Sequence, residues 1–308
     1  MCGAQSILRL KPNAETVRDI ASRRGKSGHL RFAASRKEIA DMHIIITGGS
    51  SGIGAAIAEI EIRRGARVSI LARREEQLED LREQLLRRYP TGQIHTRVAD
   101  VADDAALVTA IESCEAVFGP CDRLIAAAGI VEPGELISQD SKIFRAQIET
   151  NLFGTVNAVR AVLPGMVQRQ SGQIVIISSG AGLIGIHGYT AYCASKHALS
   201  GFAEALRQEA KPKGVGVSIC FPPDTETQQL AAELPLRSPA AAAIIGNAKP
   251  WPAPQVASII VKGADRGRFE IYPGLQVALL GRFAALVAPV LRRYFDWKIA
   301  GVSKNRDG

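Results

Sequence analysis

His43-Ile44-Ile45-Ile46-Thr47-Gly48-Gly49-Ser50-Ser51-Gly52-Ile53-Gly54 reads as a buried strand, a glycine turn and the first turn of a helix. The strand His43–Thr47 is β-branched and apolar without alternation, which suits a parallel strand covered on both faces. The glycines permit a tight turn and close backbone approach, and a helix N-terminus presents unpaired N–H groups to a pyrophosphate. Gly48, Ser50, Ser51, Gly52, Ile53 and Gly54 are thereby candidate dinucleotide contacts. The plain alternative is a glycine turn that only joins strand to helix.

Outward from this unit the pattern repeats. Strands are expected at Ala66–Ala72, Ile94–Ala99, Arg123–Ala127, Gln173–Ser178 and Val215–Phe221. Helices are expected at Glu75–Arg88, up to about Phe118, through Asn151 to Gln168 and from about Tyr192 to Ala210. Strands alternating with helices of ten or more residues mean βαβ units and a parallel sheet. Right-handed crossovers make that an α/β fold with a Rossmann-type doubly wound parallel sheet. We expect a single domain over residues 42–270, an N-terminal extension over 1–41 that is disordered or outside the fold, and a helical C-terminal appendage over 271–308.

The second strand ends in Ala72-Arg73-Arg74, with no acid before Glu75. An NAD site places a carboxylate here for the ribose 2′-hydroxyl, whereas an NADP site places Arg for the 2′-phosphate. Arg73 therefore points to NADPH/NADP+, the alternative being a solvated arginine pair. Asp100, after the third strand, is placed to accept from the adenine amino group.

Tyr192-Cys193-Ala194-Ser195-Lys196 puts Tyr192 and Lys196 on one helical face. An ammonium beside a phenol lowers its pKa from about 10 toward the working pH, which makes Tyr192 a general acid for a ketone receiving a hydride. Ser179 lies thirteen residues earlier at a strand end, where its hydroxyl meets the developing alkoxide. Tyr189 is set aside, because no Lys follows it by four.

Thr47–Gly54, Asp100, Asn151, Ser179, Tyr192 and Lys196 together resemble the short-chain dehydrogenase/reductase family over roughly residues 42–270. The resemblance implies that Asn151 holds a water in the proton relay, Ser179 positions the carbonyl, Tyr192 donates the proton and Lys196 binds the nicotinamide ribose. It selects Ser179 over Ser178 by spacing to the tyrosine. It also implies cofactor contacts at Val101, Gly129, Pro223, Thr225 and Thr227. A narrower likeness runs through Gly188–Lys196, Ala203–Pro212 and Phe221-Pro222-Pro223-Asp224-Thr225-Glu226-Thr227, to the branch of the family that reduces a long-chain 3-keto sphingoid base in sphingolipid biosynthesis. Reduction of another lipid ketone or a 3-oxoacyl thioester, and a non-catalytic NADPH-binding scaffold, stay open beside it.

Three departures accompany the likeness. The family's Asn-bearing turn after the fourth strand is Ala126-Ala127-Ala128-Gly129 here. Glu61 interrupts the apolar face of the first helix, which predicts strain or a local register shift. The N-terminal membrane segment of the animal members of that branch has no counterpart in residues 1–41.

The 308 residues are 46% apolar and 22% charged, as a globular protein requires. Five scattered cysteines without a CxxC pair argue against disulfides and structural zinc and fit a reducing compartment, so we expect a cytoplasmic protein with no metal. Of the net charge of +8, residues 1–41 carry +5 and residues 282–308 carry +4, which leaves −1 on the body. A neutral body is not a nucleic-acid footprint. Basic ends suit either an anionic membrane surface or plain solvation. Leu275, Leu279, Phe283, Leu286 and Val290 form one helical stripe, too short for the roughly 20 apolar residues of a span. With Leu291–Lys298 they read as a helix lying in a membrane interface, or as one packed on the domain, on a dimer partner or over the cleft. Gln228–Pro254 is the expected lid, with Leu230, Leu234, Leu236, Ile244 and Ile245 toward an apolar chain. A homo-dimer or homo-tetramer through the helices near 150–168 and 192–210 is implied by the family resemblance.

Overall fold

Ile45 of the strand His43–Thr47 faces one side of the sheet and Ile44 and Ile46 the other, and both sides are covered. In the computed structural model, which describes residues 38–246 and 249–304, this strand is β1. It is followed by α1 (Gly52–Arg63), β2 (Arg67–Ala72), α2 (Glu75–Arg88), β3 (Ile94–Val98), α3 (Asp104–Phe118) and β4 (Arg123–Ala126). Then come α4 (Ser141–Ile148), a π-turn (Glu149–Phe153), α5 (Gly154–Gln168), β5 (Gly172–Ile177), α6 (Thr190–Ala210) and β6 (Val215–Cys220). The chain closes with β7 (Thr225–Glu226), α7 (Gln228–Glu233), α8 (Pro239–Ile245), β8 (Trp251–Pro252), α9 (Ala253–Asp265), β9 (Glu270–Ile271) and α10 (Leu275–Lys304).

Seven strands form one sheet in the order β3-β2-β1-β4-β5-β6-β9, every neighbouring pair parallel. Ile45, Leu124, Ile174 and Ile176 pack with Leu107 and Ile111 of α3, Val159 of α5 and Leu199 of α6. Ile44, Ile46, Ile125 and Val175 pack on the opposite face with Ile57 of α1, Leu78 of α2 and Ile260 of α9. Burying each such side chain contributes about 1.5–3 kcal/mol, so both layers are strongly held. Strand order reverses between β1 and β4, and ligand crevices open at the carboxyl ends of strands at such a switch point.

Residues 1–37 of the expected extension lie outside the described residues. Residues 38–41 include a 3₁₀ turn, Ile39–Asp41, with Ile39 packed against the α1 face of the core and the Asp41 carbonyl accepting from Arg67. The expected strain at Glu61 is corrected. Helix α1 runs unbroken, and the buried Glu61 carboxylate accepts from Arg123 at 2.8 Å and Arg64 at 2.9 Å. Asp265 closes the cluster with both arginines, at 2.9 and 2.8 Å. A buried carboxylate is tolerable when paired in this way. Two short elements went unread: β9 at the sheet edge and the β7–β8 pair that ties the two ends of the lid region.

Candidate active site

At the switch point the glycine loop is formed by backbone approach that side chains would block. Gly48 has φ +67°, and a Cβ there would stand 2.5 Å from the Ala128 backbone. A Cβ on Gly54 would meet the Gly48 carbonyl oxygen at 2.4 Å. Ser51 caps α1 without a side-chain hydrogen bond to it, so the first N–H groups of α1 are left for a ligand. The residues present thus fit a dinucleotide pyrophosphate. Gly52, at φ +57°, faces the Thr227 methyl, which brings the loop after β6 across the cradle. The Thr227 hydroxyl itself caps α7 by accepting from Leu230 N at 3.1 Å, and Thr225 donates to the Pro223 carbonyl at 2.8 Å.

The adenine end lies at the tips of β2 and β3. Arg73 is 54% exposed there, its guanidinium 3.9 Å from Asp100. Val101 is buried, and its carbonyl accepts from Asn157 at 3.0 Å; Asn157 on α5 is a positioning residue the sequence reading missed.

The reacting end is built by β5, α6 and the π-turn. An extra residue in a helical turn re-aims side chains, which is why such turns recur at functional sites. Here it turns Asn151 inward. Asn151 Oδ1 accepts from Ile130 N at 2.8 Å, and Nδ2 donates to the Ile130 carbonyl and to Ser195 Oγ, both at 3.0 Å. That double bond braces the loop after β4, where the sequence lacks the usual asparagine turn. A Cβ on Gly129 would sit 3.3 Å from Asn151 Oδ1 and 3.4 Å from Lys196 Nζ, so Gly129 leaves open the space between them. Lys196 Nζ donates to the Ile177 carbonyl at 3.1 Å and lies 5.7 Å from the Tyr192 ring centroid. Ser178 spends its hydroxyl on the Lys196 carbonyl at 3.0 Å, whereas Ser179 Oγ accepts from Ala181 N at 3.2 Å and is the hydroxyl whose influence reaches the Tyr192 phenol.

The electrostatics differ from the sequence expectation. Burial pushes the Tyr192 phenol well above its usual value; the Ser179 hydroxyl opposes this, and Glu233 and Asp224 add to it. Lys196 is itself pulled down to about 8 by burial. Tyr192 therefore stands as a neutral phenol, the protonation state that a proton donor needs.

The short chain dehydrogenase profile matches residues 42–235. The chain belongs to the short-chain dehydrogenase/reductase family. Among its relatives, the 3-dehydrosphinganine reductase of Danio rerio is 36% identical over 254 residues, 80% of this chain and 76% of the relative. The 3-dehydrosphinganine reductase of Arabidopsis thaliana is 39% identical over 233 residues, 74% and 69% of the two chains. The solved structure of ElxO with NADP bound is 27% identical, with a TM-score of 0.67, covering 75% of this chain and 97% of that one. This short-chain dehydrogenase is thus an oxidoreductase that works between C–OH and C=O with a nicotinamide dinucleotide.

Above Tyr192 the dehydrogenase carries a cluster that the sequence reading missed. Tyr189, set aside for want of a lysine, is buried, with its ring edge-on to Tyr192 at 6.3 Å. Its hydroxyl donates to Glu233 Oε1 at 2.6 Å. Arg237 reaches the same oxygen and also Asp224, each at 2.7 Å. Glu233 and Arg237 stand four apart, a spacing that the sequence did offer. Val131, Ile186 and Ala241 pack beside these rings. Of the expected apolar lid residues, Leu230 is buried and Ile244 and Ile245 half-buried, but Leu234 and Leu236 are exposed. His187 faces Ser238 at 3.3 Å and Glu135 at 3.9 Å on the rim.

Proposed function

We propose that this chain reduces 3-ketodihydrosphingosine to dihydrosphingosine with NADPH, as a peripheral protein on the cytoplasmic face of a membrane. One arrangement carries the reading: Ser179, Tyr192 and Lys196 stand beside the glycine cradle in a chain whose zebrafish and Arabidopsis relatives are named for this reaction. The glycine loop and α1 hold the pyrophosphate, Arg73 the 2′-phosphate and Lys196 the nicotinamide ribose. Bound NADPH supplies the hydride to the ketone carbon.

The protein's own groups do the rest. Ser179 donates a hydrogen bond to the substrate oxygen and holds it beside the Tyr192 phenol. Tyr192 gives its proton to that oxygen as negative charge develops there. Lys196, held near 8, stabilises the phenolate and passes a proton to it at neutral pH. Asn151 holds the water that resupplies Lys196. Pairing between copies uses the outer faces of α5 and α6, beside the exposed Phe153.

The test is loss of nicotinamide absorbance with the sphingoid ketone in detergent micelles, run beside an acetoacetyl thioester and an NADH control. We expect turnover with the sphingoid ketone and NADPH. Tyr192→Phe should lower kcat by about 10²–10⁴-fold, the span of general acid catalysis, and leave NADPH binding intact. Turnover of the thioester alone would sink the assignment.

A further inference from the structure

We infer that Glu233 is the specificity-determining residue that recognises the ammonium group next to the reacting ketone. The inference rests on the substrate proposed above, whose C2 amine is protonated at neutral pH and adjoins the C3 carbonyl.

Glu233 ends α7 and is buried. Three donors converge on one of its oxygens: Tyr189 Oη at 2.6 Å, Arg237 Nε at 3.0 Å and the second Arg237 nitrogen at 2.7 Å. Among the described residues no donor reaches Oε2. That oxygen is not one of the sealed, unpartnered atoms, so it remains open to a ligand. Arg237 does not cancel the charge, because its guanidinium is shared with Asp224 at 2.7 Å. One cation between two carboxylates leaves the cluster at −1. The mechanism does not use this charge, and a neutral ketone has no need of it. Glu233 and Arg237 are 10% exposed and Asp224 32%, so the uncompensated charge is partly desolvated and gains from a monocation.

Its position matches the chemistry. Tyr189 lies edge-on to Tyr192 and hands its hydroxyl to Glu233, so the carboxylate is one phenol ring from the proton donor. Lys196 donates to the Ile177 carbonyl and makes no ion pair with the cluster. An ammonium at Glu233 also offsets the field by which Glu233 and Asp224 hold the proton on Tyr192. Binding of the right substrate thereby makes the phenol a better acid, so recognition is coupled to turnover and not only to affinity.

The experiment compares two ketones of equal chain length: the sphingoid ketone and its 2-deamino analogue, which keeps C1 hydroxyl and C3 carbonyl. Wild-type kcat/KM should favour the amine by about 10–100-fold, as a charge pair in a partly desolvated site does. Glu233→Gln keeps the shape and an acceptor for Tyr189, and should collapse that ratio toward one while NADPH binding shows the variant folded. A wild-type ratio near one overturns the inference without any variant. So does a Glu233→Gln loss equal on both ketones, which would make Glu233 structural. Wild-type turnover of neither ketone removes the substrate reading, and this inference falls with it.

Discussion

At the end of β2 the chain presents a guanidinium where a carboxylate would otherwise meet a ribose 2′-hydroxyl. Arg73 is half exposed and only loosely paired with Asp100, at 3.9 Å, so its charge is available to a phosphate. Charge-assisted hydrogen bonds of this kind are worth about 1.5–3 kcal/mol, or roughly 10–100-fold in affinity. Arg73→Glu should therefore cut kcat/KM for NADPH by that factor and reverse the preference toward NADH; an unchanged ratio of the two would assign the 2′-phosphate elsewhere. His43 shows a different residue-scale effect. Its ring is buried in β1, Nδ1 against the Gly119 carbonyl at 2.6 Å and Nε2 against Ser69 at 2.8 Å. Burial lowers its pKa from 6.5 to about 4. A histidine depressed in the folded state stabilises the fold fully above the unfolded value, and that contribution drains as pH falls from 6.5 toward 4. The full loss is about 3 kcal/mol. Melting temperatures taken between about pH 7 and pH 5 should fall for the wild type more steeply than for His43→Asn. Parallel curves would show that the ring is not the group protonated.

At the scale of elements, the regular strands and helices were legible because each carries its own short-range pattern: the isoleucines of β1, the leucines of α2, the glycine turn between β1 and α1. Ser179, Tyr192 and Lys196 stood out for a similar reason, since spacing alone puts the tyrosine and lysine on one helical face after a strand-end serine, whereas Asn151 came only from the family resemblance. What stayed hidden depends on partners far away. Glu61 looked like strain because Arg123, its partner, lies 62 positions on. Tyr189 looked idle because Glu233 lies 44 positions on. Strand β9 has two residues, too few for any periodicity. The Glu61 cluster also makes a prediction about α1. Removing one partner of a buried ion pair leaves an uncompensated charge and costs about 3–5 kcal/mol, whereas replacing the pair by apolar side chains is near neutral. Glu61→Gln should shift the urea midpoint down sharply, and Glu61→Leu with Arg123→Met should shift it much less. Equal losses from both would mean the cluster contributes packing and not charge pairing.

At the scale of the whole molecule, the C-terminal helix packs on the lid and leaves apolar side chains uncovered. No single helix among the described residues is long and apolar enough to cross a membrane, and the two arms of α10, Leu275–Phe283 and Leu286–Val302, meet at 113°. The first arm is docked: Gly281 rests against the Tyr272 ring, Tyr272 stacks on Phe221 at 5.3 Å, and α10 packs against α8 of the lid. The bend splits the expected single stripe, yet apolar side chains are bare on both arms, with Leu275 75%, Leu286 78% and Trp297 69% exposed. Arg292, Arg293 and Lys298 lie on the second arm. Exposed aliphatic and aromatic side chains beside cations suit the headgroup boundary, where each basic residue contributes about 1 kcal/mol on an anionic surface. A helix held both to the lid and to a bilayer would set the mouth of the cleft at the membrane, so that a long-chain ketone need not cross water. Leu286→Glu with Val290→Glu should then abolish co-sedimentation with anionic vesicles and lower turnover of vesicle-borne ketone, while NADPH binding stays intact. Wild-type co-sedimentation should weaken as salt rises, because the cationic part of the contact is screened. Retained vesicle binding in the double variant would place the membrane contact outside α10 and leave its bare apolar side chains to a second copy of the chain.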